Sequence, residues 1–395
     1  MLMNFWYALA FRHEITDKPT RVKALGQELV MYRDSKGVVH CLSDLCVHRG
    51  GAMSGGWIKD DCLVCPYHGW EYASNGACTK IPANKENLPI PKKARVDSYP
   101  TVERYAWVWV FLGDLPEDER PPLPELPGFD DPKLRLTTGE FEWDANFERV
   151  LENSMDIAHA PFVHSGSFGN KDKPEVEDYT VTGDDYRGEA TVTLEPPMPK
   201  GIWRYLYKKD RPGVRTTTGY FMANVTKLVV RLPLGELVIY NANVPIDEHH
   251  TITKWASLRN FFPGKWADKN SIERTYKIFW EDKPTVEGQR PELLPMDLSS
   301  ELHVKSDALQ LAYRRSRQHF LDKGWGIDAH QFTDERDRRY TVIPSPSRRE
   351  VPELANAWVM KQVPRIASST RTGTSAAEVA EGAQATEAAE GAHEP

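Results

Sequence analysis

Two short segments near the N-terminus combine cysteine and histidine at a spacing suited to one metal centre. The first reads C-x-H and the second, after sixteen intervening residues, reads C-x-x-H. The four side chains are Cys46, His48, Cys65 and His68. Two thiolates and two imidazoles can hold zinc tetrahedrally, or a [2Fe–2S] cluster with the cysteines on one iron and the histidines on the other. Zinc sites usually begin with two closely spaced cysteines, so the alternation of cysteine and histidine favours the cluster.

A second group of candidate ligands lies further along the chain. The segment from Asn153 to His164 reads N-x-x-D-x-x-H-x-x-x-x-H. Asp156 and His159 are three residues apart on one face of a predicted helix, and His164 follows the bend at Pro161. Two histidines and one carboxylate that leave open metal positions are typical of non-haem Fe(II) oxygenases. Without its neighbours, the same pattern also fits a helix with two incidental histidines.

The carboxylate of this second site must come from elsewhere, because Asp156 lies too close along its own helix. Candidates lie on the predicted C-terminal helix: Asp297, Glu301 and Asp307. For Asp307 the alternative is a solvated helix charge. The choice among them is therefore open on the residues alone.

Hydrophobic patterning and proline content divide the chain into consecutive parts. Short β-rich runs fill residues 1–115, and a proline-dense charged linker follows over 116–135. The part from 136 to 345 begins with a predicted helix, continues with antiparallel strands over about 176–261 and ends with a long helix over about 297–323. The tail, 366–395, consists largely of Ala, Glu, Gly, Thr and Ser and is predicted to be disordered.

Composition and charge exclude several classes of protein. The chain has 50 Lys and Arg against 57 Asp and Glu, a formal charge of −7, and no basic block that could neutralise phosphates, so no nucleic-acid partner is expected. Neither a membrane-length apolar run nor a secretory signal is evident. Five cysteines in 395 residues indicate a reducing compartment and a cytoplasmic location. Cys41, Cys62 and Cys78, which the motifs leave over, are predicted to be small buried hydrophobes.

The motifs CVHRGGAMSGGW and CPYHGWEYASNGACTKIP resemble those of the Rieske-type ring-hydroxylating oxygenases, and the resemblance covers residues about 5 to 325. It implies an α+β protein in which an all-β Rieske domain precedes a helix-grip (START-like) domain with a curved antiparallel sheet around a long C-terminal helix. It also implies a [2Fe–2S] cluster, mononuclear Fe(II) and O₂ as cosubstrate. Electrons would come from NAD(P)H through a ferredoxin or flavin reductase.

The resemblance also assigns roles to individual residues. His159 and His164 correspond to the iron ligands, and Asp307 best fits the family's third ligand, with Glu301 in reserve. Asp156 corresponds to a residue that bridges an iron-bound histidine to His68 of a neighbouring chain, which implies a homotrimer. Asn153 lies one turn before Asp156 and is expected to hydrogen-bond near the iron.

The expected reaction is hydroxylation or O- or N-demethylation of an aromatic or cyclic small molecule, as in the homomeric monooxygenase and demethylase branch. The alternative within the family is cis-dihydroxylation of an aromatic ring. Two alternatives of other classes are a Rieske electron carrier without oxygenase activity and a zinc-stabilised binding module. Arg204, Arg215 and Arg231 are candidates for binding a substrate carboxylate, or are surface charges.

Overall fold

A computed structural model describes residues 1–85, 88–195, 213–295, 297–329, 332 and 341–366. In its N-terminal part the strands are β1 (Phe5–Phe11), β2 (Thr20–Ala24), β3 (Gln27–Arg33), β4 (Val39–Ser43), β5 (Trp57–Lys59), β6 (Cys62–Val64), β7 (Glu71–Tyr72), β8 (Cys78–Lys80), β9 (Ser98–Tyr99), β10 (Thr101–Arg104) and β11 (Trp107–Leu112). They pair antiparallel in the orders β1-β11-β10, β2-β3-β4-β9 and β5-β6-β7-β8. This part is all-β, as the sequence predicts.

The second part contains one antiparallel sheet. Its strands are β12 (Arg135–Trp143), β13 (Thr182–Asp184), β14 (Arg187–Leu194), β15 (Val214–Phe221), β16 (Val225–Leu232), β17 (Gly235–Pro245) and β18 (Thr251–Arg259). Their order is β12-β18-β17-β16-β15-β14-β13. From β13 to β18, consecutive strands are neighbours in the sheet, whereas β12 pairs with β18. Strands β15, β17 and β18 are buried along most of their length, and because successive side chains of a strand point to opposite faces, both faces of the sheet are packed.

One face of this sheet packs on the N-terminal part. Val225, Val238 and Tyr240 join Trp107 and Trp109 of β11 in one buried cluster. We call this the outer face. The opposite, inner face is covered by three helices, α1 (Phe147–Met155), α3 (Asp268–Glu287) and α4 (Ala308–Asp322). Because the inner face and these helices enclose the space between them, residues there can be shielded from water.

The observed helices differ from the predicted ones in position. The helix predicted over 144–159 is shorter: Asn146 caps α1 by accepting a hydrogen bond from the backbone N–H of Glu148, and α2 (Ala160–Val163) follows after a break. The helix predicted over about 297–323 is regular only in α4, after two short 3₁₀ turns. The long helix α3 was not predicted. Its charged sequence hides a buried stripe formed by Thr275, Phe279, Asp282 and Val286.

The chain returns to the N-terminal part after α4. The paired strands β19 (Thr341–Val342) and β20 (Lys361–Gln362) flank the short helix α5 (Ser347–Glu350). Arg348 donates two hydrogen bonds to the buried carboxylate of Asp97, at 2.8 and 2.7 Å. Arg349 and Arg365 both bind Asp114. These ion pairs attach the last described residues to the cluster-bearing part; the predicted disordered tail, apart from Ile366, lies outside the described residues.

The longest helix, α3, is polar over most of its surface. Among the described residues, no helix is both long enough and apolar enough to cross a membrane.

Candidate metal centres and active site

Two loops of matching construction carry the cysteine and histidine motifs. In each, the cysteine carbonyl accepts a hydrogen bond from a glycine four residues on: Gly50 N–H to Cys46 at 2.8 Å and Gly69 N–H to Cys65 at 2.9 Å. Both glycines have positive φ angles, 67° and 70°, which other residues rarely adopt. Backbone hydrogen bonds therefore close both loops without help from distant parts of the chain.

The loops bring their ligand atoms together. The Nδ1 atoms of His48 and His68 are 3.2 Å apart, and the His48 ring stacks on Trp70. A hydrogen bond from the Cys46 thiol to the Cys65 sulfur lowers the pKa of Cys65 to about 6. The same hydrogen bond, together with burial, raises the pKa of Cys46. Two adjacent sulfurs and two adjacent Nδ1 atoms are the donor set of a Rieske [2Fe–2S] cluster, so these residues fit that group.

The surroundings of the two halves of this site differ. Both cysteines are buried, and the Tyr72 hydroxyl lies 3.1 Å from the Cys46 sulfur, to which it can donate a hydrogen bond. His68 and the neighbouring Tyr67 are exposed; Tyr67 is 64% accessible. The histidine side of the cluster site is therefore the side from which electrons can be transferred at the protein surface.

A second group of ligand atoms lies between α1, α2 and α3. The Nε2 atoms of His159 and His164 are 3.2 Å apart, and Asp282 Oδ1 is 3.5 Å from the first and 3.2 Å from the second. Three ligand atoms separated by these distances can each lie about 2.1 Å from one shared metal ion. Among the described residues, these three form the group that could hold a metal ion.

Unpaired buried atoms support the same interpretation. Asp282 is 5% exposed, and its Oδ1 atom has no hydrogen-bond partner in the described part of the chain. Burial alone would raise the pKa of Asp282, but interactions with His159 and His164 outweigh it and lower this pKa. A buried carboxylate facing two imidazole Nε2 atoms is a donor set suited to a divalent cation.

A second carboxylate fixes the orientation of His164. Glu281 Oε2 lies 2.9 Å from His164 Nδ1, while Glu281 Oε1 accepts a hydrogen bond of 2.6 Å from the Ser167 hydroxyl. With Nδ1 donating to Glu281, Nε2 of the neutral ring is free to bind a metal. Adjacent residues of α3 thus contact both nitrogens of one histidine. Glu281 was not predicted.

Asp307, which the sequence predicts as the third carboxylate, is not among the residues that the structure groups with His159 and His164. Asp307 Oδ2 instead accepts a hydrogen bond from the backbone N–H of Val304, at the turn before α4. Glu301, the reserve, binds the guanidinium groups of Arg149 and Arg314 at 2.8 and 2.6 Å. Both carboxylates are used in local structure near α4, whereas the buried acid beside the histidines belongs to α3. The sequence did contain a signal for this acid. The buried positions of α3 recur every three or four residues, and one of them is a carboxylate.

Asp156 lies at the outer side of the three-ligand group. Its Oδ2 is 3.7 Å from His159 Nδ1, and that nitrogen is buried without a hydrogen-bond partner among the described residues. The Asp156 side chain is 29% exposed. Asn153 is half-buried, one turn earlier on α1, and its backbone carbonyl accepts a hydrogen bond from Asp156 N–H.

Two of the three arginines considered for a substrate carboxylate do not face the three-ligand group. Arg215 and Arg231 are paired across β15 and β16 on the outer face, where Arg231 contacts Thr217 and Glu236. Arg204 lies outside the described residues.

Comparison with known proteins gives two family matches along the chain. Residues 5–100 match the Rieske [2Fe-2S] domain, and residues 143–323 match the vanillate O-demethylase oxygenase C-terminal domain. Methylxanthine N1-demethylase NdmA of Pseudomonas putida is 31% identical over 338 residues, 80% of this chain and 88% of that protein. The dicamba O-demethylase oxygenase component of Stenotrophomonas maltophilia is 32% identical over 213 residues, 54% of this chain and 61% of that protein.

Solved structures agree with these matches. The structure of Pseudomonas putida CBB5 NdmA with caffeine superposes with a TM-score of 0.70 at 27% identity, covering 81% of this chain and 91% of that one. Dicamba monooxygenase bound to dicamba shares the fold, with a TM-score of 0.64 at 22% identity over 81% and 97% of the two chains.

A cluster site in an all-β domain and a buried three-ligand site under an antiparallel sheet define an enzyme with two metal centres. The chain belongs to the Rieske non-haem iron oxygenases. It is the terminal oxygenase component, an oxidoreductase that uses a Rieske cluster, mononuclear iron and O₂, and takes electrons from a partner reductase or ferredoxin to act on small molecules. The demethylase and monooxygenase prediction is confirmed over the dioxygenase, electron-carrier and zinc-module alternatives.

Proposed function

We propose that His159, His164 and Asp282 bind the catalytic Fe(II), and that the enzyme removes an N- or O-methyl group from a small aromatic or heterocyclic substrate. The observation that carries this proposal is the group of three ligand atoms separated by 3.2–3.5 Å. Its relatives include methylxanthine, dicamba and vanillate demethylases, which supports demethylation. Iron bound here supplies the activation of O₂ that the protein cannot provide by itself.

The reaction balances with two electrons. Substrate–X–CH₃, O₂, two electrons and two protons give substrate–X–CH₂OH and water, where X is nitrogen or oxygen. The hydroxymethyl group then leaves as formaldehyde, and X keeps a proton. The protein orients the reacting groups and excludes water from them. Glu281 orients His164, burial keeps water from the carboxylate of Asp282, and the helices shield the inner face of the sheet.

We propose further that electrons pass between copies of the chain in a head-to-tail homotrimer. His68 is exposed at the cluster, and Asp156 is partly exposed beside the unpaired Nδ1 atom of His159. A carboxylate placed between these two imidazoles can accept a hydrogen bond from each, which orients both rings. Exposed aromatic side chains, Tyr67 at the first surface and Phe162 at the second, give each surface apolar area to bury.

The first experiment tests the reaction. The purified protein, with a partner reductase and NADH, is incubated with caffeine, dicamba and vanillate, and formaldehyde and O₂ uptake are measured. Formaldehyde equal to the O₂ consumed with at least one substrate supports demethylation. A cis-diol product, or electron flow from the cluster with no substrate-dependent O₂ uptake under any panel compound, contradicts it.

The second experiment tests transfer between chains. Chains with Cys65→Ser lack a cluster, and chains with Asp282→Ala lack the catalytic iron; neither alone is expected to turn over. Coexpression at equal levels yields randomly assembled trimers, and about a quarter of all their head-to-tail contacts join an intact cluster to an intact iron site. Recovery of about a quarter of the wild-type rate supports the proposal, and an inactive mixture shows that transfer stays within one chain.

A further inference from the structure

The sheet β5-β6-β7-β8 beside the cluster site has one exposed face. Ile58 on β5 packs against the buried core of this part of the protein. Its neighbours Trp57 and Lys59 therefore point to the other face, because successive side chains of a strand alternate. Trp57 is 50% exposed, and the Lys59 side chain is 47% exposed. Tryptophan is among the residues that contribute most to binding at protein contacts, so this face has the composition of a docking surface.

The same face is positively charged. The Nζ atoms of Lys59 and Lys80 lie 3.2 and 3.8 Å from one oxygen of Glu71, so a single carboxylate is shared by two ammonium groups. Residues 46–93 contain six Lys and Arg against four Asp and Glu, whereas the whole chain has a formal charge of −7. We call Trp57, Lys59, Glu71 and Lys80 the basic face. A negatively charged partner is attracted to this face more than to the protein as a whole.

The basic face adjoins a cysteine of the cluster site. Trp57 lies directly opposite Val64 in the pairing of β5 with β6, and Cys65 is the next residue, which places the Cα atoms of Trp57 and Cys65 within about 9 Å of each other. Glu71 follows Trp70, whose carbonyl accepts a hydrogen bond of 2.9 Å from the Cys65 N–H. A redox centre held against this face is therefore close to the cysteine side of the cluster site.

The histidine edge of the cluster site already has a role in the proposed function. Transfer between chains places His68 against Asp156 of a neighbouring chain, which covers this edge. The partner that delivers electrons must then reach the cluster from another side, and the basic face is exposed beside the cysteine loop. The inference therefore rests in part on the proposed transfer between chains.

We propose that the electron donor docks on the basic face, and that this donor is a small redox protein with an acidic surface around its redox centre. Each encounter moves one electron: the donor is oxidised by one electron and the cluster of the holoprotein is reduced by one. Two encounters supply the two electrons that one demethylation uses. Contacts between redox partners are small and transient, so attraction between opposite charges sets how fast they form.

Electron entry is measured without turnover. An acidic plant-type [2Fe–2S] ferredoxin, whose potential lies below that of Rieske clusters, is reduced and mixed anaerobically with the oxidised holoprotein, and the absorption of the Rieske cluster is followed. The double variant Lys59→Glu/Lys80→Glu is expected to lower the second-order rate constant at least about tenfold at low ionic strength. The double variant Lys269→Glu/Lys305→Glu makes the same charge change at two exposed lysines of the second part and should keep the wild-type rate.

Salt separates the two components of the basic face. The wild-type rate should fall towards that of Lys59→Glu/Lys80→Glu at high ionic strength, because salt screens exposed charges. Trp57→Ala should lower the rate at least about threefold at every salt concentration, since an apolar contact is not screened. Retained cluster absorption confirms that each variant is folded.

Crosslinking provides a readout that needs no electron transfer and no variant. A carbodiimide joins a lysine amine directly to a carboxylate in contact with it. With the wild-type holoprotein and the same ferredoxin, mass spectrometry should find the crosslinks at Lys59 or Lys80. Crosslinks confined to other lysines overturn the inference.

Two further comparisons can overturn it. Arg49 is exposed next to His48 at the histidine edge, and a larger loss of rate in Arg49→Glu than in Lys59→Glu/Lys80→Glu would place the donor there. Dithionite, a small reductant that needs no docking surface, should reduce every variant at the wild-type rate, and equal slowing with dithionite would assign the effect to the cluster itself. The measurement ends at the reduced cluster, so inactive mixed trimers would contradict transfer between chains and still leave the docking surface supported.

Discussion

The cluster site and the three-ligand site are built in opposite ways. Each cluster loop is closed by backbone hydrogen bonds between residues four or five positions apart. Each loop supplies one cysteine and one histidine to the site. The three-ligand site joins His159 and His164 to a residue on α3 more than a hundred positions later. The first site depends on local turns, whereas the second depends on how α3 packs against α1, α2 and the sheet.

The two sites also differ in exposure, and the difference matches their tasks. The histidine side of the cluster site is at the surface, where electrons can be transferred. Asp282 and His164 are buried, where a reaction with O₂ can exclude water. A site that exchanges electrons can be local and exposed, while a site that shapes chemistry needs walls from several elements.

The largest expected effect comes from removing a cluster ligand. Cys65→Ser should abolish the visible absorption of the cluster and reduce product formation to background, because no electrons reach the iron. Iron analysis should still find the mononuclear metal, since the buried site does not depend on the loops. Cys78→Ser, a free buried cysteine of the same domain, is the control and should keep both the cluster and activity. Loss of both metals in Cys65→Ser would show that the two sites are not independent.

Asp282→Ala should lower the rate of product formation at least about a hundredfold, because two histidines alone hold the metal weakly. The cluster spectrum should be unchanged, and iron should fall from three to two per chain. Asp307→Ala should keep all three irons, since its carboxylate accepts hydrogen bonds from the Val304 backbone N–H and the Ser306 hydroxyl at the turn before α4. The reverse result, with iron lost in Asp307→Ala and kept in Asp282→Ala, would restore the assignment made from the sequence.

Glu281→Gln tests the support given to His164. An amide can still contact Nδ1 but carries no charge, so iron affinity should fall about 10- to 100-fold. Titration of the apoprotein with Fe(II) under anaerobic conditions measures this. Glu273→Gln, an exposed position on the same helix, should leave the affinity unchanged. Equal affinities for the two variants would mean that burial alone orients the histidine.

The smallest effect concerns the packing of α3 on the sheet. Hydrogen bonds from Arg135 and Arg259 lower the pKa of Asp268, the first residue of α3, to about 2. Asp268→Asn should lower the free energy of unfolding by about 1 kcal/mol, because the ion pairs are partly exposed. Because the pKa of Asp268 is lower in the folded than in the unfolded state, the ionised carboxylate stabilises the fold at pH values above the unfolded-state pKa, which is about 4. This stabilisation is lost as the pH falls towards 2.

The difference between Asp268→Asn and wild type should therefore stay constant from pH 6 to pH 8, as measured by urea denaturation of the holoprotein. Asp118→Asn in the exposed linker is the control. A difference that varied within that range would assign the effect to another titrating group.

The strand prediction succeeded where alternation was strong, and the helix prediction failed where charge masked burial. The strands from β14 to β18 lie within the region of antiparallel strands predicted over about 176–261. Helix α3 carries Lys, Glu and Arg on its outward sides, and only every third or fourth residue is buried. One of those buried residues is Asp282, the carboxylate that the structure groups with the two histidines, so without α3 the sequence left Asp307 as the predicted third ligand.

The sequence alone predicted the four cluster-site residues and the two histidines that the structure brings together, and it determined the order of an all-β part before an α+β part, because turns, caps and periodicity act over a few residues. Only the tertiary structure decided which acid faces those histidines and which acid contacts Nδ1 of His164. Both depend on the packing of segments far apart in the chain, and no local pattern encodes which of several similar carboxylates is buried against a given imidazole.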